Sequence, residues 1–331
     1  MDCMDASRRR ALAAVLVGGL ALASAPLALA QAAWPDKPIK LMVGFPAGGA
    51  SDVMARLVAD KLGQALGQSV VVDNRPGAAG TLAASLVAKS PADGYTMLLA
   101  SPTAITLAPT TMADRLPYSP SKDLVPVTQV NRYPLVLLVT PQLGVKSVPE
   151  LLSKAKAQPG KLNFASFGAN TSGGLGTEMV KLMGKVDMLH VPFNGGAPMN
   201  QALLGGNVDV AFDTMPTALA NARAGKLVPI AVSTAKRTQL APELPTVGEA
   251  IPGFEADSWT GLMVPAGTPP EIVARIQSEI AKIVASDDMK QRFATMGADA
   301  VASTPADFKA FLDAETLRYA RLVKEANLKL E

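Results

Sequence analysis

The apolar residues of this chain fall into two textures. Short, continuously apolar runs at 39–45, 96–100, 135–139, 162–166, 208–212 and 228–232 lack the period-two alternation of a half-exposed strand, so they predict strands buried on both faces. Between them, at 53–66, 80–89, 148–157, 175–183, 197–204 and 217–223, apolar residues recur at three- and four-residue spacing and predict amphipathic helices. Val70, Val71 and Val72 add a β-branched strand, so the opening reads strand, helix, strand. The alternation occurs twice over, which predicts two α/β units, each a parallel-rich sheet flanked by helices. After a strand at 259–264 the tail reads as helices at 269–285, 289–296 and 305–326, each opened by a Pro or acidic signal. The charge-rich end of the last, from Glu315 to Glu331, reads as a solvated face.

The amino terminus follows a different rule. Arg8, Arg9 and Arg10 precede an apolar run over 11–29 that closes on Ala28-Leu29-Ala30, the order of a secretory signal peptide cleaved after Ala30. Its small side chains and Pro26 argue against an uncleaved anchor. Ser7-Arg8-Arg9-Arg10-Ala11-Leu12 is similar to a twin-arginine signal, with Ala11 where Phe is usual, and Sec export is equally compatible. A periplasmic location is the expectation.

Composition narrows the chemistry. A chain of 331 residues, 49% apolar and 18% charged, holds enough apolar mass for two filled cores. Lys and Arg number 31 against 28 Asp and Glu, and the net +3 is scattered, so no footprint for nucleic acid appears. The one Cys is Cys3, which falls with the signal, and the one His is His190, so neither a disulfide nor a Cys/His metal site is expected. No Walker loop, dinucleotide fingerprint or nucleophile elbow is present, and no cofactor is expected. The methionines, Met179 and Met183 included, read as core filler.

The loops that leave the strands share one design. FPAGGASDVMAR from Phe45 runs through Ala47, Gly48 and Gly49 into a helix whose expected N-cap is Ser51, with Asp52 in the first turn. A helix N-terminus approached by glycines offers unpaired N–H groups and the positive end of a dipole to an anion, although an ordinary cap looks the same. RPGAAGT from Arg75 repeats the design, and Ser101-Pro102-Thr103 does so with hydroxyls. NFASFGANTSGGLGTE gathers Ser166, Asn170, Thr171 and Ser172 before a helix; VPFNGGAP brings Asn194, Gly195, Gly196 and Ala197 to another; Asp213 follows a further strand. Together these loops predict an anion-binding crevice at strand C-termini.

At these residues the sequence resembles a known family. WPDKPIKLMVGFPAGGASDVMAR from Trp34, then DNRPGAAGTLAA, PADGYTMLLAS, LNFASFG, HVPFNGGAP, LLGGNVDVAFD, LPTVGEA and GLMVPAGTPPEIV, resemble the Bug (TctC-type) solute receptors of tripartite tricarboxylate transport, in order and without large gaps. The resemblance implies a type II periplasmic-binding-protein fold, two α/β lobes with a ligand cleft and hinge between them. Lobe 1 is placed at 31–131 plus 255–331, after a signal at 1–30, and lobe 2 at 132–254. It also implies that the loop from Phe45 to Asp52 holds one ligand carboxylate through backbone groups and waters, that the loops at Ser166 to Ser172 and Asn194 to Ala197 serve the rest of the ligand, and that Asp213 helps set specificity. Gly174 stands where many relatives carry His, Ala79 where Gly is frequent, and Pro102 interrupts a loop that is usually Ser-Gly-Thr-like. These departures, with Asn194 in place of a longer side chain, point to a monocarboxylate, an aromatic acid or a short dicarboxylate rather than citrate.

The expected partners are a small organic carboxylate and integral-membrane permease subunits, or a sensor protein in an orphan signalling receptor; a monomer is expected. A secreted hydrolase is the other alternative, and it would need Ser172 with His190 as base. His190 opens an apolar strand and reads better as a packed strand-end residue, and Arg75, the only cation near the expected cleft, reads as a surface turn.

Overall fold

The continuously apolar runs become the inner strands of two sheets. In the computed structural model, which describes residues 34–168, 171–193 and 195–325, the chain first runs β1 (Ile39–Val43), α1 (Ala50–Leu66), β2 (Val70–Asn74), α2 (Thr81–Ala88), β3 (Thr96–Ala100) and β4 (Leu124–Tyr133). It continues β5 (Leu135–Val139), α3 (Val148–Ala157), β6 (Asn163–Ser166), α4 (Ser172–Gly184), β7 (Leu189–Pro192), α5 (Gly196–Leu204), β8 (Val210–Thr214), α6 (Met215–Arg223) and β9 (Val228–Val232). The last part is β10 (Ser258–Pro265), α7 (Pro270–Ala285), α8 (Asp287–Thr295), β11 (Asp299–Ala300) and α9 (Pro305–Glu325). Residues 37–331 form one compact unit; of the other, residues 1–36, only Trp34, Pro35 and Asp36 are described. The export signal expected over residues 1–30 and the candidate residues Asn170 and Asn194 lie outside the described residues. Among the described residues no helix is long and apolar enough to cross a membrane.

One sheet has six strands in the order β11-β4-β10-β3-β1-β2, the other five in the order β7-β6-β8-β5-β9. Both are mixed, where the apolar texture led us to expect parallel-rich sheets. β1 pairs in parallel with β2 and β3, and β6 with β7 and β8, but β10 is antiparallel to β3 and β4, and β5 to β8 and β9. The reason is the route of the chain. β4 leaves the first sheet and, after Pro134 alone, β5 enters the second; β10 re-enters the first sheet after β9. A strand entering at the end where its neighbours finish must run against them.

β4 has no counterpart in the hydropathy pattern, because Pro126 and the polar residues Thr128, Gln129 and Asn131 interrupt it. In the structure these polar residues are buried, Thr128 and Asn131 at 0% exposure. Burial of such groups costs less where they are hydrogen-bonded, as part of this set is, although Gln129 Nε2 and Asn131 Nδ2 have no partner among the described residues. Thr128 donates to the Ser303 carbonyl at 2.8 Å, the Gln129 amide donates to Ser303 Oγ at 2.9 Å, and Asn131 Oδ1 accepts from the Thr260 amide and hydroxyl at 3.2 and 2.7 Å.

The final helix is a strut between the two cores rather than the solvated face expected from its charges. Phe308 and Leu312 pack with Trp259, Met263 and Ile105 beside the first sheet, whereas Tyr319 and Leu322 pack with Leu137, Phe164, Phe212 and Phe254 beside the second. Its buried charges are paired: Glu315 accepts from the Trp259 indole at 3.0 Å and from Arg318, and Arg318 meets Glu255 at 3.2 Å. Glu255 also takes Arg132, the penultimate residue of β4, at 3.3 Å. Phe308 is fully buried edge-on to Trp259 with ring centroids 5.5 Å apart, and a Cβ on Gly261 would stand 2.3 Å from its ring. Phe308→Ala should therefore cost roughly 3–5 kcal/mol, the range for emptying a core aromatic site. Urea unfolding checks this; a loss below about 1 kcal/mol would contradict the strut role.

Candidate functional site

The C-terminal ends of β1, β3, β6 and β8 open on one cavity of about 690 Å³. Because a helix or helical turn follows each strand, the cavity collects helix N-termini. Ser51 lines it from the first turn of α1, Thr171 and Ser172 from the start of α4, Gly196 and Ala197 from α5, and Thr214 precedes α6. Each such end presents N–H groups without intrahelical partners and the positive end of the helix dipole. Ser101 and Thr103 add hydroxyls 3.1 Å apart, with Thr103 donating to the Ala79 carbonyl at 2.8 Å. Phe45 and Phe167 supply apolar walls.

Local structure departs from the sequence expectation at α1. Gly49, in extended conformation, occupies the N-cap position without a side-chain cap, so Ser51 lies inside the first turn instead of capping it. Asp52 takes over the work of a cap: its Oδ2 accepts from the Gly48 amide at 2.9 Å and from Arg56 Nε at 3.0 Å. Arg56 first, then the Gly48 N–H, holds the Asp52 carboxyl at about 2, well below its ordinary 3.8. The Gly48 donor is therefore spent inside the loop. Gly44 carries the loop past its neighbour, since a Cβ there would stand 2.5 Å from Gly80 Cα. The Arg75 turn stays outside the cavity, where Arg75 pairs with Asp73 at 2.9 Å on the surface.

Of the candidate residues from the sequence, Phe45, Ser51, Ser101, Thr103, Thr171, Ser172, Gly196, Ala197 and Asp213 line the cavity; Ala47, Gly48, Gly49, Asp52, Ser166 and Gly195 are not among its lining residues, the first three being exposed to solvent and Asp52 and Ser166 buried. Ser166 is fully buried, with Oγ 2.8 Å from His190 Nε2. The His190 ring stacks on Phe164 with centroids 4.3 Å apart, and its Nδ1 faces Glu178 Oε1 at 3.5 Å. His190 is thus packed, as expected, and hydrogen-bonded as well. The hydrolase alternative loses its geometry here. The serine that meets the imidazole is sealed from substrate, and Ser172, which is in the cavity, is not the residue His190 holds.

The back wall was not foreseen. Tyr133, Leu135, Ser258, Trp259 and Thr260 come from the two chain crossings, which carry no motif; only the apolar strands beginning at Leu135 and Trp259 were visible in the sequence. Asn200 was missed too, although its spacing one turn after Gly196 on α5 was a usable signal. Among the described lining residues none is Lys, Arg or His, and the one charged group is Asp213. It is buried, accepting from Asn200 Nδ2 at 2.9 Å and the Thr214 amide at 2.7 Å, and burial pushes its carboxyl above the ordinary range.

Two mixed α/β sheets on either side of a cleft ringed by helix N-termini are the architecture of the solute-binding proteins. Residues 54–328 match the family described as "Tripartite tricarboxylate transporter family receptor", and the chain belongs to that family. It is 37% identical to protein BugT of Bordetella pertussis over 316 residues, 95% of this chain and 97% of that protein. Among solved structures it resembles R. palustris Rpa4515 with adipate, at 38% identity and TM-score 0.78, covering 89% of this chain and 98% of that one. MatC (Rpa3494) from Rhodopseudomonas palustris with bound malate is 31% identical with TM-score 0.74, covering 88% and 100%.

Because Asp52 titrates lower in the folded than in the unfolded chain, the unfolded state binds more protons on acidification. Its stabilisation is present above pH 3.8 and is lost as pH falls towards about 2. Asp52→Asn should flatten the fall in urea midpoint over that window; an unchanged slope would contradict the assignment.

Proposed function

We propose that the chain is a periplasmic receptor that holds a small carboxylate between its lobes and passes it unchanged to membrane permease subunits. The observation that carries this is a cleft with helix N-termini, hydroxyls and a single buried acid, and no cation among its described lining residues. Such a site binds a carboxylate through dipoles that need no counter-ion, and it penalises each additional charge. The adipate and malate held by related proteins have the chemistry such a cleft favours. The crossings near 131–132 and 254–255 act as the hinge between lobe 1 and lobe 2, and ligand contacts to both lobes shift the population towards the closed form.

A thermal-shift and calorimetric panel of acids tests the reading. Monocarboxylates, aromatic acids or short dicarboxylates should bind tightest and citrate poorly; a ligand at a hundred times its Kd adds about 2.7 kcal/mol of stability. Citrate as the tightest ligand would overturn the charge argument, and silence across the whole panel would overturn the receptor reading.

Asp213 offers a sharper test. If its carboxylate repels the far end of a dicarboxylate, Asp213→Asn should tighten adipate binding roughly tenfold, about 1.4 kcal/mol, relative to a monocarboxylate of the same length. Equal changes for both ligands would remove Asp213 from specificity.

A further inference from the structure

One corner of the cleft reverses the chemistry of the rest. Where β8 ends and α5 and α6 begin, four lining residues, Asn200, Asp213, Thr214 and Thr217, bond to one another. Their protons can be counted. Asn200 Nδ2 gives its two N–H groups to pure acceptors, the Gly196 carbonyl at 3.1 Å and Asp213 Oδ2 at 2.9 Å, which also fixes the orientation of the amide. The Thr214 amide donates to Asp213 Oδ1 at 2.7 Å, and the Thr214 hydroxyl donates to Thr217 Oγ1 at 3.2 Å. Of these four side chains only Thr217 keeps a proton to offer. Each Asp213 oxygen, by contrast, accepts one bond among the described residues and keeps a second lone pair.

The helix end beside this corner is a poor seat for a second anion. Pro216 deprives the first turn of α6 of one N–H, and the positive end of α6 already has an anion beside it in Asp213, next to the N-cap residue Thr214. Asp213 is 2% exposed, and among the described residues its carboxyl has neutral hydrogen-bond donors and no ion pair. A carboxylate placed here meets lone pairs and a buried negative charge. A cationic donor finds the same lone pairs and the same charge in its favour.

We propose that the ligand is a zwitterion, an amino acid whose carboxylate sits at a helix N-terminus across the cleft and whose ammonium group donates to Asp213.

The layout of the cleft separates the two charges. Ser51 opens on it from the first turn of α1, which follows β1 of the six-stranded sheet, whereas Asp213 belongs to β8 of the five-stranded sheet. A ligand that bridges these walls carries its amino group at the far end of the chain from its carboxylate, and the Phe45 and Phe167 rings in the lining favour methylenes between the two. Burial penalises the ionised form of Asp213 and pushes its carboxyl above the ordinary range; an ammonium group beside it offsets that cost. The proposal rests on the receptor reading above and adds to it the second end of the ligand.

Titration calorimetry at neutral pH tests this with straight-chain acids of three to six carbons, each offered as the unsubstituted acid, the ω-amino acid and the dicarboxylate. At the best-fitting length the ω-amino acid should bind about tenfold tighter than the unsubstituted acid, the scale of one charge-assisted hydrogen bond, and tighter than the dicarboxylate. Asp213→Asn keeps the shape of the side chain and removes its charge, so the ratio of the amino-acid and unsubstituted-acid affinities should collapse towards one. An unsubstituted acid or dicarboxylate that binds as tightly as the amino acid at every length overturns the proposal and leaves the receptor reading standing. A preference for the amino acid that survives Asp213→Asn does the same. If none of the acids binds, both fall. The wild-type series decides by itself should the variant not fold.

Discussion

The direction in which the chain crosses between its sheets is the constraint from which the site follows. β4 exits, and β5 and β10 enter, at the ends of the sheets that face the cleft. The remaining inner strands must then finish at that edge, and the helices that follow them must start there. Binding geometry is in this sense a by-product of connectivity: wherever strand ends gather, helix N-termini gather too, and their unpaired amides have nowhere else to point.

The same arrangement explains why the cleft can lack cations. An Arg or Lys would hold an anion strongly, but a receptor must also let it go. Dipoles fixed by helices supply attraction without a mobile counter-charge, and their strength is set by the scaffold. The protein spends its charges elsewhere. Arg56 secures the Asp52 cap, while Arg132 and Arg318 join Glu255 and Glu315 behind the cleft wall, where Trp259, a lining residue whose ring packs on Phe308 and Phe311, donates its N–H to Glu315.

Much of this was legible along the chain, for a physical reason. The strands 96–100, 135–139 and 228–232 and the helix 148–157 coincide with β3, β5, β9 and α3 because one dominant signal, apolar periodicity, determines them. The glycine-rich strand ends were visible because special backbone geometry restricts residue choice. What escaped depends on contacts distant in sequence. β4 looks polar until Ser303 and Thr260 bond to Thr128 and Asn131, and α9 looks solvated until Glu315 and Arg318 find partners inside. The cleft's back wall is assembled by two crossings, and Ser166 is not in the lining because its hydroxyl turns to His190, a pairing 24 residues apart that no local pattern announces.

The position of α9 has a consequence for how the chain acquires its structure. Its first half completes one core and its second half the other, so neither core closes on residues of its own sheet alone. A chain that has not yet delivered residues 305–325 has two incomplete cores, the one around Trp259 and the one around Phe164. Packing one helix into both cores couples them, because loosening α9 removes apolar contacts from each at once.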